Sequence, residues 1–329
     1  MFEYKDLSHP CHAKMVYTSK HQAIYKKSKN ISENKIEKPL CIMTSDYQIE
    51  EKKIKNLNVF EDDVWIVTYP RSGTTWTQEL VWLVNNNLDY ETAKNKILKE
   101  RYVFMEYSTL GEKAKAVKGS TVDLTINMKV PRHIKTHLPA KMLPDQIWAK
   151  NPKIVYVTRD PKAVVVSYYH HYKVFAGYQG TLEEFVDCFL KDEVLWSPFW
   201  DHTLDFWKLK DKSNILFLRY EDIKLDMINV LKKVSEFFNK NYNDEQLRIL
   251  ADHLEFDNMK NNTSCNNTTF TSKYLNESGI KISTDLAFIR KGKVDGWRDE
   301  LNQELAEKID VWSREKVRGT DFNLYENKN

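Results

Sequence analysis

The chain has 329 residues, 41% hydrophobic and 29% charged, with a formal net charge of +3 at pH 7. This is the composition of a soluble globular protein, and its charge is too small to imply a nucleic-acid partner, though it suits a local basic pocket for a small anion. No stretch approaches the ~20 apolar residues a membrane helix needs, and the N-terminal MFEYKDLSHPCHAK lacks a signal-peptide core, so the expected location is cytoplasmic, with no membrane partner. Cys11, Cys41, Cys188 and Cys265 are scattered without a CxxC pair, which argues against a zinc site and a disulfide scaffold.

Residues 1–38 are polar and rich in Lys, Ser and Asn, and read as an N-terminal extension to a folded domain at 39–325. Val64–Tyr69 is a buried strand by its β-branched and aromatic run. The loop PRSGTT follows, and then TTWTQELVWLVNNN, with Trp76, Leu80, Leu83 and Val84 at helical spacing. HIKTHL (133–138) and KIVYVT (153–158) are the next strands. Asp160-Pro161 reads as a helix start, a capping side chain before a proline at the first helical position. NILFLRY (214–220) is a fourth strand, EDIKLDMINVLKKVSEFF its helix, and NDEQLRILADHLEF a further helix. The polar, aperiodic NNTSCNNTTFTSKYLNESG (261–279) reads as a long surface loop. Strands alternating with helices predict one α/β domain, with a central, mainly parallel sheet flanked by helices.

TYPRSGTTW (68–76) is suited to an anion. A strand–loop–helix junction presents unpaired N–H groups and the positive end of the helix dipole. Gly73 lets the backbone approach closely, Thr74 and Thr75 add hydroxyls, and Arg71 adds a permanent charge. The first glycine and the lysine of a Walker A loop are missing, which disfavours ATP or GTP hydrolysis and a P-loop kinase. Arg159 ends the third strand, and Ser167 lies on the helix after it. Ligands of open α/β sheets gather outside the carboxyl ends of the strands, so Arg159 and the 71–75 loop should face one crevice. Arg290, Lys291 and Lys293 surround Gly292 in a third basic cluster. In PRHIKTHLP, strand alternation puts Lys135 and His137 on one face; a neighbouring cation favours a neutral imidazole and so an available base.

Together these four segments resemble the cytosolic sulfotransferase family, which transfers a sulfuryl group from 3′-phosphoadenosine 5′-phosphosulfate (PAPS) to hydroxyls or amines. TYPRSGTTW resembles the family's 5′-phosphosulfate loop, VTRDPKAVVVSYYHHY its 3′-phosphate segment, IKTHLP its catalytic-base strand, and RKGKVDGW its C-terminal RKGxxGDW. The motifs occur in family order and the resemblance spans roughly residues 40 to 325, with insect members among the relatives it suggests. It implies that Arg71, Ser72, Gly73, Thr74 and Thr75 hold the 5′-phosphosulfate. Trp76 would stack on the adenine, and Tyr220 and Phe256 would join it in the cofactor site. Arg159, Ser167, Arg290, Lys291 and Gly292 would hold the 3′-phosphate. His137 would be the general base, with Lys135 and Arg71 stabilising charge, and Phe104, Tyr107 and His171 would line the acceptor site.

The chain departs from the family pattern at several points. Arg71 replaces the usual lysine, Glu255 stands where serine is common, and Asp295-Gly296 reverses the usual Gly-Asp. Asn302-Gln303 replaces the Thr-Val centre of the family's dimer motif, which implies a monomer or weak homodimer. The resemblance implies PAPS as co-substrate, adenosine 3′,5′-bisphosphate (PAP) as product, no metal, and a small hydroxylated acceptor such as a phenol, alcohol or steroid. Two other outcomes use the same cofactor site: retinol-dehydratase-like sulfation and elimination, and binding of PAPS or PAP without turnover.

Overall fold

Five strands form the central sheet: Val64–Thr68, Val103–Phe104, His133–Thr136, Lys153–Thr158 and Ile215–Arg219. Numbered in chain order after three N-terminal strands, they are β4 to β8, and the sheet runs β5-β6-β4-β7-β8. Every pairing is parallel, with Val64 beside both His133 and Lys153. The structure is a computed structural model that describes residues 2–7, 15, 21–25, 39–111, 114–116, 119–266 and 292–324.

The central strand β4 is buried along its whole length, as a parallel strand covered on both faces must be. Its side chains alternate between two cores. Trp65 and Val67, with Ile154 and Tyr156 of β7, enter the core shared with helices Pro161–Phe175 and Phe199–Trp207. Val64 and Ile66, with Val155 and Val157, enter the core shared with helices Thr74–Asn85 and Met227–Phe237. The expected single α/β domain with a parallel sheet is therefore the fold.

Several boundaries differ from the sequence reading. β6 ends at Thr136, so His137 is the first residue beyond the strand. β4 ends at Thr68, and β8 ends at Arg219, where Tyr220 already begins a helix. The single helix expected after β8 is two, Tyr220–Leu225 and Met227–Phe237, because Asp226 leaves helical geometry and its side chain caps the second through Asn229 N. Asp160 caps helix Pro161–Phe175 as expected, accepting from Lys162 N.

The polar N-terminal segment contributes strands β1 (Glu3–Asp6) and β2 (His21–Tyr25), which pair antiparallel with β3 (Cys41–Thr44) in a second sheet. Ala23 and Ile24 are buried there, a short apolar pair that the composition of the segment as a whole conceals. β3 in turn exchanges hydrogen bonds with the Trp196–Ser197 turn, Ile42 N to Ser197 O at 2.9 Å and Trp196 N to Ile42 O at 2.7 Å.

Two buried arginines hold elements together through carboxylates. Arg132 Nε donates to Asp63 Oδ1 at 2.8 Å and its Nη2 to Asp63 Oδ2 at 2.5 Å, while its remaining donors reach Thr125 O and Asn58 O. Arg101 pairs with Glu79 at 2.7 Å. Removing one partner of such a pair leaves an uncompensated buried charge. Asp63→Ala is therefore expected to lower the free energy of unfolding by about 3–5 kcal/mol, read from urea denaturation; a loss below about 1 kcal/mol, the range of an exposed pair, would contradict this.

Candidate active site

The 68–76 loop turns sharply out of β4. Arg71 has φ 69° and Gly73 φ 95°, and helix Thr74–Asn85 starts with no side-chain cap. The first turn of a helix leaves its N–H groups unpaired, and here they open beside Arg71. An ideal Cβ on Gly73 would lie 2.6 Å from Tyr220 Cδ2, so glycine is required there by contact as well as by backbone. Ser72 is fully buried, and its hydroxyl has no hydrogen-bond partner among the described residues. An unpaired buried hydroxyl is costly and suits a ligand oxygen.

Arg71 Nε donates to Ser167 Oγ at 2.9 Å, and Arg159 Nη1 to Arg71 O at 3.2 Å, so the loop and the Arg159–Ser167 segment meet. Arg159 Nη2 reaches Lys293 O at 3.4 Å, which brings in the C-terminal basic segment. Unlike Arg101 and Arg132, Arg159 is engaged by carbonyls and by the face of Tyr220, 4.1 Å from its centroid, with its Nε buried and unpartnered among the described residues. Arg290 and Lys291 lie outside the described residues, as do residues 267–279 of the expected long loop.

An edge-on aromatic pair adjoins this cluster. Trp76 meets Tyr220 edge-on with centroids 5.4 Å apart, and its Nε1 is tied to Leu254 O at 2.9 Å. Lys224 Nζ sits 4.9 Å from the Trp76 centroid, a contact the sequence reading missed. Gly292, at φ 60°, passes so near Phe256 that an added Cβ would be 1.9 Å from its Cδ2. Glu255 is exposed at the start of helix Phe256–Asn261. The reversed Asp295-Gly296 pair opens a short 3-10 turn, Gly296–Asp299, whose Trp297 lies 5.0 Å from Lys162 Nζ. Asn302 caps helix Gln303–Val317 by accepting from Leu305 N at 2.8 Å.

Lys135 and His137 lie on one side of the β6 end, as expected, both against Phe104. Lys135 Nζ is 4.1 Å and the His137 ring 5.1 Å from the Phe104 centroid. His137 Nδ1 lies 2.7 Å from Thr68 O. A carbonyl only accepts, so Nδ1 carries the proton and Nε2 keeps the lone pair. Burial first, and then the charge of Lys135, hold this imidazole well below its usual range, so the ring is neutral at neutral pH. Burial, assisted by Arg71 and opposed by Glu106, brings Lys135 down to about 8. No carboxylate is in ion-pair contact with Lys135 among the described residues; Glu106 acts on it from beyond contact.

The main chain of His137 is held from two sides. Its N–H donates to Glu106 Oε1 at 2.6 Å, and its carbonyl accepts from His202 Nε2 at 3.0 Å. His202 Nδ1 in turn meets Tyr156 OH at 2.8 Å. Of the residues expected to line the acceptor site, Phe104 and Tyr107 have ring centroids 5.7 Å apart. His171 lies one helical turn beyond Ser167, against Phe175 at 4.5 Å; burial and the charges of Arg71 and Lys135 push its imidazole down. The sequence reading missed Trp196, whose ring lies 5.2 Å from His137 and 6.4 Å from Phe104. Trp196 has φ 64°, and no local motif announces a bulky residue in that conformation. Glu106 and His202 were also missed as neighbours of His137; RYVFME ends on Glu106, and only strand pairing puts that carboxylate beside the KTH segment.

A family model described as "Sulfotransferase domain" matches residues 61–321. Luciferin sulfotransferase of Photinus pyralis is 35% identical over 289 residues, 83% of this chain and 76% of that protein. Human Sulfotransferase 1C2 is 35% identical over 274 residues, 83% of this chain and 88% of that protein. Among solved structures, retinol dehydratase in complex with androsterone and the inactive cofactor PAP superposes with a TM-score of 0.85 at 26% identity, covering 98% of both chains. Mouse sulfotransferase SULT7A1 complexed with PAP gives a TM-score of 0.64 at 26% identity, covering 85% of this chain and 94% of that one.

Proposed function

The chain belongs to the sulfotransferase family, and from that premise we propose that it transfers the sulfuryl group of PAPS to a hydroxyl of a small acceptor, with His137 as general base. The observation that carries this reading is the hydrogen bond of His137 Nδ1 to Thr68 O. It ties the base to the strand end from which the anion loop springs, and leaves Nε2 as the basic nitrogen.

The residues present fit the co-substrate. The buried, unpartnered Ser72 hydroxyl and the Gly73 cradle suit its 5′-phosphosulfate, together with Arg71, Thr74 and Thr75. Arg159, Ser167 and Gly292 would hold the 3′-phosphate, with Arg290 and Lys291, and Trp76, Tyr220 and Phe256 would flank the purine. The co-substrate supplies an activated sulfuryl group whose leaving group is a phosphate.

His137 Nε2 takes the acceptor's proton as the acceptor oxygen bonds to sulfur and the S–O bond to phosphate breaks. Lys135 and Arg71 face the charge that gathers on the transferring and leaving oxygens. Phe104, Tyr107 and Trp196, with His171, present an aromatic wall to the acceptor, which favours a flat or apolar body carrying one reactive hydroxyl.

A second reading has one supporting observation, the 0.85 TM-score and 98% mutual coverage with retinol dehydratase structures, one holding retinol and PAP. In it the sulfated alcohol goes on to eliminate sulfate. Incubation with PAPS and a panel of phenols, steroids and retinoids, with products identified by mass, tests both readings. A product heavier by one sulfuryl group supports transfer, and one lighter by water supports elimination. No product from any acceptor would overturn both in favour of binding without turnover.

A further inference from the structure

Glu106 is fully buried, at 0% exposure, and a buried carboxylate is costly unless it is paired or hydrogen-bonded. Its place is set by the backbone. β5 pairs with β6 so that Phe104 stands beside Lys135, and Met105 N continues the ladder to Lys135 O at 2.9 Å. One residue on, the Glu106 carbonyl takes Thr109 N at 3.0 Å and Thr109 Oγ1 at 2.8 Å. The Thr109 carbonyl is in turn held by Thr44 of β3. The carboxylate is thereby aimed at the Lys135–His137 segment, where Oε1 accepts the His137 N–H at 2.6 Å.

We propose that Glu106 is a positioning residue of the transfer site: its carboxylate fixes the main chain of His137 and supplies the negative charge that Lys135 faces. The titratable groups around it support this division of labour. Cys41 on β3 and Tyr47, at the start of the following helix, are both pushed up by burial and stay neutral. His137 is neutral, held down by burial and by Lys135. Lys135 itself is lowered by burial and by Arg71 and raised by Glu106, and His171 and His137 both feel its charge. Burial pushes Glu106 up to about 7 against the pull of the His137 N–H, the Thr136 hydroxyl, its own backbone N–H and, least, Lys135. Above that pH it is the carboxylate that opposes loss of the Lys135 proton.

The inference rests on the proposed reaction and is tested through the pH dependence of kcat/KM for PAPS, which reports groups of the free enzyme. Glu106→Gln keeps a carbonyl oxygen for the His137 N–H and removes the charge. Its alkaline limb should fall at a pH lower by about one unit or more, with activity near wild type recovered at acidic pH. Glu106→Asp keeps the charge and is one methylene short of the N–H, so its kcat should fall while the limb stays in place. A purely structural role would lower the melting temperature and scale the whole profile without moving the limb. An unmoved limb in folded Glu106→Gln overturns the proposal. Should that variant not fold, Lys135→Arg in the wild-type background is decisive, because arginine does not deprotonate in this range. A limb that persists in Lys135→Arg overturns the proposal equally, and its disappearance supports it. Absence of any PAPS-dependent product counts against the reaction; product with an unmoved limb counts against Glu106 alone.

Discussion

His137→Ala is expected to lower turnover by about 10²–10⁴-fold, the usual contribution of a positioned general base, while PAP affinity stays within a few-fold of wild type. Nine histidines compete for this role in the sequence, and the structure separates those near the site by their bonds. His202 uses both ring nitrogens, toward Tyr156 OH and the His137 carbonyl. His170 is paired with Glu300 at 2.5 Å, and His133 meets Asn85 at 3.2 Å. His171 stands one turn from Ser167, against Phe175, and is proposed to line the acceptor site. Among the described histidines, only His137 is held through Nδ1 to the end of β4, with Nε2 left for a proton. Because the imidazole is held well below its usual range, it stays neutral through neutral and mildly acidic pH. Wild-type activity should therefore lack an acidic limb near the ordinary histidine value of about 6.5. The decisive pair of measurements is steady-state turnover and calorimetric titration with PAP. Turnover that survives in His137→Ala but collapses in His171→Ala would reassign the base.

PAP is expected to bind far more tightly than AMP, and Arg159→Ala to remove a large part of that difference. Arg159 lies where the loop, the Ser167 helix and the Lys293 segment meet, bonded to Arg71 O and Lys293 O and lying over Tyr220. Its guanidinium is held by carbonyls and a ring face, with no carboxylate in contact among the described residues. A charge-assisted hydrogen bond is worth about 1.5–3 kcal/mol, which corresponds to roughly 10–150-fold in affinity. The loss should fall on PAP, with AMP changed much less, since AMP lacks the 3′-phosphate. Equal affinities for the two nucleotides in the wild-type protein would sink the assignment of this corner of the crevice. An equal loss for both in Arg159→Ala would make Arg159 a support for the 71–75 loop instead.

The sequence by itself determined the sheet, the PRSGTT break after its central strand and the segments that flank it, because each is a local pattern. The apolar run of β4, the PRSGTT break, the Asp160-Pro161 start and the KTH alternation each depend on residues within a few positions of one another. Local pattern also misled at the edges: β6 stops at Thr136, and Asp226 divides a helix whose periodicity runs on unbroken. What only the tertiary structure decided is how these segments meet. Thr68 and His137 are 69 residues apart, Arg71 and Ser167 96, and Trp76 and Leu254 178, and their contacts follow from parallel strand order, which no short window encodes. The same holds for the carboxylate of Glu106, the left-handed Trp196 and the His202–Tyr156 pair. Their residue types are unremarkable in place, and burial beside His137 is what sets them apart. Buried groups take their charge state and hydrogen-bond partners from neighbours distant in sequence, and so the protonation of Lys135 and the tautomer of His137 are properties of the fold.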